Sequence, residues 1–83
     1  MRKEKYLNMM IGILEIAKML YADENSGFIA INPYEGRAGV QLREKEFRIF
    51  FGKNYVVDDQ DRCRIKTQYN GVEFFTLTDV PEV

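Results

Sequence analysis

The chain has 83 residues, 46% of them apolar and 30% charged, and its twelve basic and thirteen acidic side chains leave a net charge of −1. That length holds one domain, residues 1–83, with one small core, and the composition is that of a folded domain rather than a disordered segment. The balance carries neither the signature of a strongly basic nucleic-acid binder nor that of an acidic mimic of nucleic acid.

Lys5 to Tyr21 reads as an amphipathic helix. At ~100° per residue, Ile16, Met9, Leu20, Ile13, Tyr6, Ala17, Met10, Tyr21, Leu14 and Leu7 follow one another around an arc of about 180°. Only Ile11 and Met19 interrupt the polar side, and Gly12 is the weak point, costing up to ~1 kcal/mol against Ala. The breaker cluster Asp23-Glu24-Asn25-Ser26-Gly27 ends the helix near Tyr21 or Ala22. So wide an apolar face asks for a broad partner, and the expectation is that this helix packs on a sheet made by the rest of the chain.

Phe28 to Ile31 is a short run of β-formers. The loop Asn32-Pro33-Tyr34-Glu35-Gly36 follows, and then a strand from Arg37 to Leu42 with Ala38, Val40 and Leu42 on one side. Together they predict a β-hairpin with a longer loop. Arg43 to Phe51 fits a helix, with Phe47, Phe50 and Phe51 on one face and Gly52 just past its end. A strand remains the alternative, because no Ser, Thr, Asp or Asn caps that helix. Tyr55-Val56-Val57 is at most a short strand, and Asp58-Asp59-Gln60-Asp61 is a loop.

The clearest β pattern comes last. Cys63, Ile65, Thr67 and Tyr69 alternate with Arg62, Arg64, Lys66 and Gln68, and Asn70-Gly71 is the strongest two-residue hairpin signal. With that turn, Tyr69 faces Val72, Thr67 faces Phe74 and Ile65 faces Thr76. On the other face Gln68 meets Glu73, Lys66 meets Phe75 and Arg64 meets Leu77. The first face is the more apolar and is assigned to the N-terminal helix. Residues 79–83 form a frayed tail. The fold class is therefore α+β, in the order helix-strand-strand-helix-strand-strand, on a four-stranded sheet. The nineteen residues from Arg43 to Asp61 are enough for a crossover, so the sheet can be mixed.

The C-terminal half resembles short uncharacterised proteins of phages and integrated elements of Gram-positive bacteria. The residues that carry the likeness are Val40-Gln41-Leu42, the segment ending Phe50-Phe51-Gly52, the acidic loop and Gly71-Val72-Glu73-Phe74-Phe75, roughly residues 40–77. The resemblance implies a genomic setting and contains no catalytic motif. No functional residue is carried over from it.

Catalytic chemistry is sparse. The chain has no histidine, one cysteine and one serine, Ser26. This removes Ser-His-Asp and Cys-His nucleophilic sites and nearly all catalytic zinc sites. Gly52-Lys53-Asn54 lacks the glycine and the Ser/Thr of a phosphate loop. The Asp58–Asp61 loop lacks the central Gly and distal Glu of a calcium loop, and reads as a solvated turn. Glu35, Glu44 and Glu46 could supply a carboxylate pair only if a cleft held them apart. Cys63 reads as a buried, inert thiol, and Tyr6, Tyr21 and Tyr69 as core-edge residues. One cysteine and no signal-peptide pattern favour the cytoplasm, and no run is long enough to span a membrane.

The expectation is a protein that is not an enzyme, needs no cofactor or metal and binds a partner protein, with an inhibitor of host defence such as an anti-CRISPR as one setting. The candidate contact residues are Arg64, Lys66, Phe75 and Leu77 on the hairpin's second face, and Tyr34 in the loop. Two arrangements of that face are open: the second helix covers it, or Phe75 and Leu77 form an exposed apolar centre with a basic rim. The alternative function is a weak nucleic-acid module using the basic strand 62–68 with Phe75. A monomer and a weak homodimer, through Ile11 and Met19 or through Phe75 and Leu77, are both compatible with the pattern.

Overall fold

The computed structural model describes residues 2–33 and 39–81. Among these, two helices and five strands follow in the order α1 (Arg2–Ala22), β1 (Phe28–Asn32), β2 (Gly39–Leu42), α2 (Glu44–Phe51), β3 (Val56–Val57), β4 (Arg64–Tyr69) and β5 (Val72–Leu77). The expected class, α+β with an N-terminal helix, holds. The sheet has five strands rather than four, ordered β1-β2-β5-β4-β3. The added strand is Val56-Val57, which pairs antiparallel with Lys66 and Ile65. The sheet is mixed, because β2 lies parallel to β5 while its other neighbours run antiparallel.

The C-terminal hairpin has the register read from its sequence, from Tyr69 opposite Val72 to Arg64 opposite Leu77. Asn70 and Gly71 both have positive φ, 51° and 79°, the type I′ geometry that matches the twist of the flanking strands. The segment after Arg43 is a helix, not a strand. Arg43 occupies its cap position without a side-chain cap bond, and Gly52, with φ 58°, ends it. The Arg43 amide instead donates to the Gly27 carbonyl at 2.7 Å, so the start of α2 is tied to the start of β1.

The core lies between α2 and the sheet. Phe47 and Ile65 are fully buried and Leu42 nearly so, with Val40, Phe51, Tyr55, Val57 and Phe74 packed around them. Aromatic rings fill this layer: Phe51 stands 5.1 Å from Phe47 and 5.5 Å from Phe74. Phe50, expected on the same helix face, points out and is exposed.

The central expectation about the first helix is overturned. The apolar sheet face carrying Ile65 and Phe74 is covered by α2, and α1 stands off the sheet with no buried residue. Its main contact is with β1, the strand it leads into. Length gives one reason. A 21-residue helix is about 31 Å long, whereas strands of four to six residues span about 13–20 Å. The eight-residue α2, about 12 Å long, matches the sheet, and one residue joins it to β2. The turn gives a second reason. The Ser26 hydroxyl shares its one proton between the carbonyls of Leu20 and Asp23 and accepts from the Phe28 amide, which holds the end of α1 against the start of β1. Gly27, with φ 69°, packs under Glu46 of α2. Tyr6, Tyr21 and Tyr69 are accordingly exposed rather than at the core edge, although Tyr69 still meets the Phe51 and Phe74 rings at 6.4 Å.

Candidate functional site

Alternation along β4 and β5 sends Ile65, Phe74 and Thr76 toward α2, and Arg64, Lys66, Phe75 and Leu77 to the opposite face. α2 occupies the first face, and among the described residues α1 meets mainly β1, so the second face carries no described helix. The parallel pairing of Gln41 with Phe75 and the antiparallel pairing of Val56 with Lys66 extend it on both sides. Of the two arrangements open in the sequence, the structure has the uncovered one. Leu77 is 49% exposed and Phe75 half-buried.

Phe75 is not bare. The Arg64 guanidinium carbon lies 4.2 Å from the centre of its ring, a cation–π stack. The two ends of that guanidinium are held by carboxylates: Nη1 donates to Asp58 Oδ2 and Nη2 to Glu73 Oε2, each at 2.8 Å. Lys66 Nζ stands 3.6 Å from the same Asp58 oxygen. The expected basic rim is therefore largely neutralised. A groove of about 510 Å³ runs over this network, lined by Asn32, the acidic loop, Arg64, Lys66, Glu73 and Phe75. Four of its side chains are acidic and two basic, so it leans negative.

The loop carboxylates also shape the backbone. Asp58 Oδ1 accepts from the Gln60 amide at 2.8 Å and Asp61 Oδ1 from the Cys63 amide at 2.9 Å, the turn-forming role of aspartate. The Gln60 amide first, and then Arg64, hold the Asp58 carboxyl below the ordinary value near 3.8. Among the described residues no group of carboxylates and thiols is arranged to hold a metal ion. Cys63 is half-buried rather than buried, with a free thiol. Tyr34 lies outside the described residues.

Sequence reasoning placed Arg64, Lys66, Phe75 and Leu77 together and missed Asp58 as their organiser. The hairpin register had already put Glu73 on this face. Asp58 had no such signal, because only the pairing of β3 with β4 brings the acidic loop beside Arg64.

Compared with known proteins, the chain matches no family model, no curated protein and no solved structure. Among the described residues no helix is long and apolar enough to cross a membrane.

Proposed function

We propose that this chain is a small non-enzymatic interaction protein that binds a partner protein through the open face of its sheet. The observation that carries the reading is the position of Phe75 and Leu77 on the one sheet face that no helix covers. An apolar centre ringed by charged groups is the anatomy of a protein-binding patch. The Arg64 stack keeps Phe75 in place, and the acid-leaning groove beside it suits a partner segment that presents basic and apolar side chains together. The resemblance to short phage proteins makes inhibition of a host-defence protein one setting for such a module.

Ion pairing weighs against the nucleic-acid alternative. Phosphate recognition needs basic groups that can trade counterions for phosphates, and here Arg64 is held by two carboxylates and Lys66 lies close to one.

Immobilised protein would be used to capture partners from a bacterial lysate, in parallel with Leu77→Asp and with Ile49→Asp on the outer side of α2. A protein retained by the native chain and by Ile49→Asp, but lost with Leu77→Asp at unchanged thermal stability, supports the reading. Retention that ignores Leu77→Asp sinks it. A salt-dependent affinity for single-stranded DNA that falls with Lys66→Ala would replace it with the nucleic-acid reading.

A further inference from the structure

The described chain exposes more surface than its mass requires. Its accessible surface is 6836 Å², against about 5,150 Å² for a compact monomer of 9.8 kDa. Its radius of gyration is 14.8 Å, against about 12 Å for 83 residues in a compact domain. Much of the excess is α1. Its large apolar side chains are 38–73% exposed, from Leu20 to Met19. The largest apolar patch on a typical monomer reaches roughly 300–600 Å², and a helical face of about 180° over some 31 Å fills or exceeds that range.

We propose that a second copy of this chain covers α1, the two helices packing antiparallel about a two-fold axis between Ile13 and Ile16. Three observations choose this occupant. The first is the seam. Tyr6, Met9, Ile13, Ile16 and Leu20 recur at spacings of three, four, three and four, the heptad spacing of paired helices. From Met9 to Leu20 the spacings of four, three and four read the same from either end: antiparallel, Met9 meets Leu20 and Ile13 meets Ile16 of the second copy. That self-complementarity is what a two-fold interface requires.

The second observation is charge. Arg2, Lys3 and Lys5 crowd the N-terminal end of α1 against one acid, Glu4, while Asp23 and Glu24 follow its C-terminal end. Both sets oppose the macrodipole of an isolated helix, which favours acids at its start and bases at its end. In an antiparallel pair each basic end lies beside the acidic end of the other copy, so the conflict becomes an attraction. A parallel pair would bring like ends together.

The third is area. The excess over a compact monomer is about 1,700 Å², and a standard interface takes about 800 Å² from each partner. The sheets then sit at opposite ends of the helical bar, where they do not collide. This association is independent of the open face around Phe75, which stays accessible in the dimer.

The experiment is sedimentation velocity of the full chain across a hundredfold concentration range. A species of twice the chain mass is expected. Ile13→Asp, at a position already exposed in the single chain, should weaken association by at least about tenfold. Arg2→Glu should weaken it as well, and adding Glu24→Arg should restore it. A chain that stays monomeric throughout overturns the proposal, including one that binds lipid vesicles through α1 instead. A dimer indifferent to Ile13→Asp also overturns it, and so does one whose Arg2→Glu defect Glu24→Arg fails to rescue.

Discussion

Asp58 shows how one carboxylate can organise a surface. Each of its oxygens has a separate donor, the Gln60 amide on one and Arg64 on the other, and both favour the charged form. A carboxyl with a lowered folded-state value stabilises fully above its ordinary titration range, and that stabilisation is lost as pH falls through the lowered value. Asp58→Asn should therefore lower the melting temperature by a constant amount above the ordinary carboxylate range, and the gap should close as the pH falls below that range. Melting curves of both proteins across that range test this; a gap that does not depend on pH would refute it. Gly27 is the second residue whose role is positional. A Cβ there would lie 2.3 Å from Glu46 Cβ on a backbone with φ 69°. Gly27→Ala should destabilise by about 1–3 kcal/mol, read by urea denaturation. An unchanged midpoint would mean that α2 and this turn are not in contact.

At the scale of elements, local chemistry specifies the C-terminal hairpin and the helical pattern of α1, but not where α1 packs. Asn70-Gly71 sets positive φ at both turn positions, and alternation does the rest. An added Cβ at Gly71 meets nothing within 4 Å, so backbone strain alone opposes a side chain there. Gly71→Val should then destabilise by more than ~1 kcal/mol, and unchanged thermal stability would remove the turn from the account. The helical pattern of α1 and its end at Ala22 were equally readable, through its periodicity and the breaker cluster after it. Its apolar face was readable too, but periodicity reports only that a face wants cover. Two helices competed for one apolar sheet face. The shorter one, joined to β2 by a single residue and carrying Phe47 and Phe51, holds it.

For the whole molecule, stability rests on a small layer. A chain of 83 residues has a total stability of roughly 4–12 kcal/mol, and among the described residues Phe47 is the fully buried aromatic. Phe47→Ala should cost about 3–5 kcal/mol, roughly a quarter or more of that total, read as a lowered melting temperature by circular dichroism. Retention of a native melting temperature would show that the core lies elsewhere. What the sequence determined by itself was whatever depends on neighbours in the chain: the C-terminal ends of the helices, the hairpin register, the type I′ turn and the grouping of Arg64, Lys66, Phe75 and Leu77 on one face. These follow from backbone preferences and side-chain alternation, which act within a few residues. Tertiary structure decided that α2 rather than α1 covers the sheet, that Val56-Val57 joins it as a fifth strand, and that Asp58 joins Glu73 in neutralising the basic row. Those outcomes depend on matching lengths and on charges meeting across distant segments, and no local pattern encodes either.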